Sequence, residues 1–251
     1  MKKIIVLNKK EGETPLEALE YFRKKNSLYF GVPMTYAGRL DPMASGILII
    51  LVGEETKNKE KYLALEKEYD FQVLFGFSTD TYDILGKVVS KNNLRHDVDR
   101  KKIESEIKNN LKTFLGEITQ KYPIYSSKIV KGKPLFAYAR SGEEVDIPER
   151  KVFIKKLSLE KIATINNEKL FKNIEKRIKK VKGDFRQDEI LKIWEKKLLS
   201  SKNEKFYIAN LKIKCSSGTY VRTIANSLGD NIGIPALAFS IKRTKIGKYL
   251  L

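Results

Sequence analysis

The sequence predicts a mixed α+β fold, in which strands and helices follow no strict βαβ rhythm and one helical hairpin is inserted between two strands. Three observations carry that expectation. Gly46 to Val52 is a continuous apolar run bounded by glycines, as in a fully buried strand. Tyr69, Phe71, Val73 and Phe75 alternate with polar or opposite-face residues, as in a strand with two distinct faces. Ile103, Ile107, Leu111 and Leu115 recur every four residues, which places an apolar stripe on a helix from Asp97 to Leu115 that Gly116 stops.

Taken in order, residues 3–7 read as a short buried strand. Thr14-Pro15-Leu16-Glu17 then signals a helix start, with Thr14 as N-cap, Pro15 in the first helical position and Glu17 closing a capping box. Leu16, Leu19 and Phe22 (or Phe22 with Ala18) form its apolar face, and it ends near Lys25. A polar loop centred on Asp41 leads into the 46–52 strand, after which Thr56 is expected to cap a short helix containing Tyr62, Leu63 and Leu65. Beyond the strand opened by Lys67, a loop from Gly76 to Gly86 precedes a short strand from Lys87 to Ser90. Pro123 to Lys133 reads as loop, Pro134 to Arg140 as a helix ending at Gly142, and Val152 to Ile165 as strand. Residues 166–205 change texture. Leu170, Ile174, Ile178 and Val181 make one helical stripe closed by Gly183, and Asp184-Phe185-Arg186-Gln187 caps a second helix with Ile190, Ile193 or Trp194, and Leu198. Phe206 to Cys215 is strand, Gly218 to Leu228 helix, and Ala236 to Ile246 a closing strand.

Composition narrows the function classes. With 50 Lys and Arg against 31 Asp and Glu, the formal net charge of +19 points to a polyanionic partner, and nucleic acid ranks above lipid because no amphipathic anchor stands out. No window approaches the roughly 18 apolar residues of a membrane span. The N-terminal apolar stretch is too short for a signal peptide, so a cytoplasmic protein is expected. The single cysteine, Cys215, rules out an internal disulfide framework and a multi-cysteine zinc site. The single histidine, His96, among Arg95, Asp97 and Asp99, is expected in an exposed loop, so the chemistry here does without a histidine acid or base.

The residue that stands out chemically is Asp41. Pro42 pushes it away from the α region, holding its carboxylate on a turn that feeds directly into a buried strand. The stretch Gly38-Arg39-Leu40-Asp41-Pro42-Met43-Ala44-Ser45-Gly46-Ile47-Leu48 resembles the aspartate motif of pseudouridine synthases, and its Asp-Pro-x-Ala-Ser-Gly points to the TruB-type tRNA enzymes. Four further stretches resemble that family in order: Leu7 to Gly12, Lys67-Glu68-Tyr69, Thr79 to Gly86, and Lys214 to Thr223 with its Gly-Thr-Tyr-Val-Arg-Thr. The likeness covers nearly the whole chain except residues 166–205.

What the resemblance implies can be stated residue by residue. The fold would be that of the pseudouridine synthases, a mixed, mostly antiparallel central sheet flanked by helices and loops, with residues 1–251 forming one catalytic domain and 166–205 a basic helical insertion. The reaction would be isomerisation of uridine 55 in the T-loop of tRNA, on a base flipped from its stack. Asp41 would be the nucleophile, Arg222 its ion-pair partner, and Tyr69 the ring that stacks on the uracil and helps move a proton. Tyr220 and Ile241 would line the base pocket, while Tyr36, Asp83 and Lys57 would sit near the RNA. No cofactor or metal is expected, since the isomerisation is redox-neutral. The partner would be the T-loop and stem of tRNA, bound by a monomer. The chain departs from the family pattern in three ways: Tyr36 stands where relatives often carry histidine, Lys10 replaces a proline after Lys9, and a short form without the C-terminal RNA-binding PUA domain is expected. The hairpin, with 13 Lys and Arg against 7 Asp and Glu, would supply substitute RNA contacts or be a solvated decoration. Two other functions remain open at this point: a synthase for another RNA site, and a non-catalytic RNA-binding or RNA-folding protein on the same fold.

Overall fold

In the computed structural model, which describes residues 2–92, 100–200 and 203–251, the chain runs β1 (Ile4–Lys9), α1 (Pro15–Lys25), β2 (Met34–Ala37), β3 (Ala44–Val52), α2 (Lys59–Leu63), β4 (Lys67–Phe75), β5 (Phe77–Thr79) and β6 (Val88–Lys91). It continues through α3 (Arg100–Leu111), β7 (Gly116–Lys121), β8 (Ile129–Val130), β9 (Lys133–Pro134), α4 (Leu135–Ser141), β10 (Glu149–Asn166), α5 (Asn167–Ile178), α6 (Gln187–Leu199), β11 (Lys205–Cys215), α7 (Val221–Ile232) and β12 (Ala236–Ile246). The order in the main sheet is β1-β3-β12-β4-β11-β10-β7, with β2 also paired to β3. Every pairing in it is antiparallel except β3 with β12, which run parallel from Ile241 opposite Ala44 to Arg243 opposite Gly46. The expected mixed, mostly antiparallel sheet is present.

Side-chain alternation explains why both faces are covered. Tyr69, Phe71, Val73 and Phe75 on β4, with Ala209, Leu211 and Ile213 on β11, point to one face and pack against α3 and α7. The opposite face carries Leu74, Phe206, Ile208, Leu237 and Phe239, and there the α5–α6 hairpin lies down through Leu170, Ile174, Ile178, Ile190, Trp194 and Leu198. Trp194 also donates its ring N–H to the Ile84 carbonyl at 3.1 Å. The hairpin is therefore part of the core layer and not a solvated decoration. Its apolar stripe is as expected, with Trp194 rather than Ile193 turned inward.

Most boundaries follow the local signals. The capping box at α1 is fully formed: Thr14 Oγ1 accepts from Glu17 N–H, and Glu17 accepts in return from Thr14 N–H at 2.7 Å. Gly142, in the left-handed conformation, ends α4, and Gly116 at φ 87° stops the helical run at residues 100–114.

The departures have local causes. Leu16 is 57 % exposed, and α1 buries Pro15, Ala18 and Leu19 instead, because the capped first turn faces Leu16 outward. Leu115, expected on the α3 stripe, is 46 % exposed, since a 3₁₀ turn at Lys112–Phe114 shifts the phase and buries Phe114. Thr56 caps nothing: it lies inside a 3₁₀ segment, Gly53–Asn58, where its hydroxyl donates to the Gly53 carbonyl, and α2 ends at Leu63, short of Leu65. Gly218 at φ 78° precedes α7, which begins only at Val221. Five strands were not anticipated: β2 ahead of the Asp41 loop, β5 inside the 76–86 loop, β7, whose Gly116–Lys121 sequence is too polar to signal burial, and the two-residue β8 and β9 at the segment read as loop. His96, with the first residues of the Asp97–Leu115 helix, lies outside the described residues, as do 201–202 of the hairpin segment. Among the described residues no helix is long and apolar enough to cross a membrane.

Candidate active site

The Asp41 loop is fixed from below by its neighbours. Leu40 is buried in the α3–α7 side of the core and Met43 in the hairpin side, so the loop is pinned on both flanks of the sheet. The Ala44 N–H returns to the Asp41 carbonyl at 3.0 Å and closes a turn. Gly12 N–H donates to the Pro42 carbonyl at 2.9 Å. Two buried cations complete the support. Lys9 donates to the carbonyls of Glu13 at 2.5 Å and Lys10 at 2.9 Å, with Pro42 at 3.5 Å. Arg243 on β12 donates to Ile47 at 2.8 Å, Gly38 at 3.0 Å and Arg39 at 3.5 Å, again all carbonyls. Where β12 meets β3, Gly46 has φ 103° and a Cβ there would lie 2.2 Å from the Arg243 carbonyl oxygen, so no other residue fits without moving backbone.

Asp41 thus projects into a cleft of about 930 Å³ that is also lined by Tyr36, Tyr69, Asp83, Tyr220, Arg222 and Ile241. Arg222, in the first turn of α7, donates from Nε to Asp41 Oδ2 at 2.8 Å. Its other two nitrogens are used as well: Nη1 donates to the Thr81 carbonyl and Nη2 to the Tyr125 carbonyl, both at 2.9 Å. The guanidinium is 3 % exposed, whereas the Asp41 carboxylate is 38 % exposed and open to the cleft. Burial works against the charge on Arg222, but Asp41 and Asp83 more than offset it and hold the guanidinium ionised. A carboxylate oriented by the guanidinium and open to the cleft follows from that geometry. The Tyr220 ring lies 5.5 Å from the Arg222 Cζ, and Tyr220 itself is held at both backbone ends by the side-chain amide of Gln120.

Tyr69 sits in β4 opposite Arg243 of β12. Burial pushes its phenol up, with Arg243 only partly opposing, so at neutral pH it is a hydroxyl able to donate. Asp83 is pushed up to about 6 by burial, against the pull of Arg222, while Thr81 Oγ1 and the Leu85 N–H donate to it at 2.7 and 2.9 Å. Because its folded value lies above the ordinary 3.8, the folded protein binds the extra proton between pH about 4 and about 6, and stability contributed by Asp83 falls as pH rises through that window. Asp83→Asn, which keeps both accepted hydrogen bonds at Oδ1, is therefore expected to gain stability relative to the parent as pH is raised from 4 to 7. Urea denaturation at pH 4, 5, 6 and 7 measures this; a difference that does not change with pH would contradict it.

The structure brings together Asp41, Tyr69, Arg222, Tyr36, Tyr220, Ile241 and Asp83. It does not bring in Lys57, whose exposed amine pairs with Glu54 at 2.5 Å on the 3₁₀ segment and is absent from the cleft wall. Sequence reasoning passed over the buried cations Lys9 and Arg243, although Lys9 lies in the Leu7–Gly12 stretch and Arg243 only two residues beyond Ile241. It also passed over Lys67, a cleft residue pushed down to about 8 by burial, and over Gln120, for which β7 gave no warning.

Comparison with known proteins identifies the family. The family model described as "TruB family pseudouridylate synthase (N terminal domain)" matches residues 32–185. The "tRNA pseudouridine synthase B" of Caldicellulosiruptor saccharolyticus is 30 % identical over 249 residues, 99 % of this chain and 69 % of that protein. Its counterpart in Borreliella burgdorferi is 34 % identical over 248 residues, 98 % of this chain and 70 % of that one. Among solved structures, a chain of a Cbf5–Nop10–Gar1 complex superposes with a TM-score of 0.57 at 17 % identity, covering 98 % of this chain and 49 % of the other. A chain of an H/ACA ribonucleoprotein bound to a substrate RNA containing 2′-deoxyuridine gives a TM-score of 0.53 at 15 % identity, over 98 % of this chain and 48 % of that one. These two likenesses show the fold alone, and this chain spans about half the length of each.

Proposed function

Because the chain belongs to the TruB family of pseudouridylate synthases, and is thus an isomerase, we propose that its substrate is uridine 55 in the T-loop of tRNA and that Asp41 is the nucleophile. The observation that carries the mechanism is the Arg222–Asp41 pair: a fully buried guanidinium with all three nitrogens engaged, set against a carboxylate open to the cleft. The relatives named as tRNA pseudouridine synthases support the substrate, and the net charge of +19 supplies the attraction to its phosphates.

The target base leaves its stack and enters the cleft, where Tyr69 and Ile241 enclose it and Tyr36 and Tyr220 offer ring faces to nucleotides. Asp41 attacks the sugar or the base and forms a transient covalent adduct. The bond between N1 and the ribose carbon breaks, the uracil rotates, and the ribose carbon rejoins at C5. The C5 proton is lost and N1 ends protonated, so atoms and electrons are conserved and no redox partner enters. Arg222 holds Asp41 in place throughout by its Nε–Oδ2 hydrogen bond, and Tyr69 stacks and relays a proton. Residues 1–251 act as one catalytic unit in this reading, with the α5–α6 hairpin built into it.

The test is conversion of an unmodified tRNA transcript, with the modified position mapped by mass spectrometry of nuclease fragments. Pseudouridine at position 55 is the expected result. Modification at a different uridine would overturn the site, and tight tRNA binding without any conversion would move the chain to an RNA-binding role.

A further inference from the structure

The turn between α5 and α6 does not end in solvent. Asp184, Phe185 and Arg186 reach the wall of the active-site cleft, on the side facing Tyr125 and Thr81. We infer that Arg186 is a positioning residue for the reaction: from the hairpin it fixes the two backbone carbonyls on which Arg222 hangs. This rests on the proposed role of the Arg222–Asp41 pair.

Two connections carry the inference. Arg186 Nη1 donates to the Tyr125 hydroxyl at 2.7 Å while its Cζ lies 4.4 Å from the Tyr125 ring, so the tyrosine is held at its tip and on its face. The carbonyl of that same Tyr125 accepts from Arg222 Nη2 at 2.9 Å. Arg186 Nη1 also donates to Asp80 Oδ2 at 2.7 Å, with Nη2 at 3.4 Å from Oδ1. Asp80 in turn takes the Lys87 N–H at 2.8 Å and donates its own N–H to the Lys87 carbonyl at 3.1 Å, which closes the loop that presents Thr81. The Thr81 carbonyl accepts from Arg222 Nη1 at 2.9 Å. One guanidinium thus braces both neighbours of another, and only the second touches Asp41. Both Arg186 and Asp80 are largely shielded, at 18 % and 21 % side-chain exposure, so the pair is screened less than a surface one.

The hairpin turn is built to hold this arginine. Arg186 has φ 63°, a left-handed backbone that is unusual for a non-glycine residue and persists where its surroundings fix it. Gln187 ties the turn together, accepting from the Phe185 N–H at 2.8 Å and donating to the carbonyls of Gly183 at 2.8 Å and Val181 at 3.0 Å. Arg140 donates to the Asp184 carbonyl at 2.7 Å from the α4 side. With Ile178, Val181 and Ile190 buried on either side, the turn has a fixed place relative to the sheet.

Arg186→Gly is the principal variant, because glycine suits the left-handed backbone while removing the whole side chain with its guanidinium. Its kcat for pseudouridine formation is expected to fall about a hundredfold, as a misplacement of about 1 Å in the catalytic pair would cost, with tRNA affinity within about threefold of the parent. Arg186→Lys, with a single donor nitrogen where the guanidinium spreads three hydrogen bonds over two, should recover only part of the loss. A fall in tRNA affinity with kcat unchanged would overturn the proposal and make Arg186 an RNA-contact residue. A second readout needs no substrate. The Arg222 Nε–H, bonded to Asp41, should give a slowly exchanging signal in side-chain ¹H–¹⁵N spectra, assigned by its disappearance in Arg222→Lys. Loss of that signal in folded Arg186→Gly supports the inference, and its persistence overturns it. If the parent modifies no uridine at all, the proposed reaction fails while the spectra still decide whether Arg186 positions Arg222.

Discussion

Asp41→Ala is expected to reduce pseudouridine formation to background, a loss on the order of 10⁴-fold or more, as for removal of a covalent nucleophile. The fold should survive. Asp41 is the exposed member of its ion pair, and the loop around it is held by Leu40, Met43, Lys9 and Arg243 rather than by its own carboxylate. tRNA affinity should remain within about threefold, since a single carboxylate adds nothing to the counterion-release term that dominates binding. Single-turnover assays at saturating tRNA, with parallel filter binding, separate the two quantities. Asp41→Asn sharpens the test because it preserves shape and removes only the charge. Appreciable turnover by either variant would rule Asp41 out as nucleophile.

Arg222→Met is expected to lose activity by about 10² to 10³-fold, the scale of removing a preorganised electrostatic partner, and to lower stability as well. Removing the guanidinium strips hydrogen bonds from the carbonyls of Thr81 and Tyr125 and leaves buried Asp83 without a cation. Asp83 lessens the loss by taking up a proton, because its value, already raised to about 6, moves further up once Arg222 no longer opposes burial. The destabilisation should thus be smaller at pH 5 than at pH 8, which urea titrations at the two pH values measure. Arg222→Lys should be nearly as impaired, since one ammonium cannot span three acceptors in a fork. A fully active, fully stable Arg222→Lys would mean that charge alone suffices.

How much of this was legible in the sequence depended on how locally each feature is encoded. The Thr14 capping box, the 46–52 strand, the β4 alternation and the hairpin stripes are set by neighbouring residues, and each is present. Asp41, Tyr69, Arg222 and their cleft partners came from motif resemblance, and the fold gathers them into one place. What escaped was encoded at a distance. Polar β7 is a strand because β10 pairs with it, and its Gln120 matters because Tyr220 needs both amide ends. Lys9 and Arg243 read as ordinary surface charges until the loop carbonyls they saturate are in view. Arg186 lies 106 residues from Asp80 and 61 from Tyr125, so no spacing rule could connect them.

The position of β12 also has a temporal consequence. β3 and β4 are near neighbours in sequence, yet they do not pair; β12 lies between them and β11 covers the far edge of β4. During synthesis at about 5–20 residues per second, the roughly 170 residues from Phe75 to Ile246 take on the order of 10 to 30 s, during which the β12-facing edge of β4 and the Ala44–Gly46 start of β3 have no native partner. Arg222 and Arg243 arrive in the same late stretch. The nascent chain therefore leaves one edge of β4 open until the strand that sheathes it emerges, and the Arg222–Asp41 pair forms only in that same late stretch.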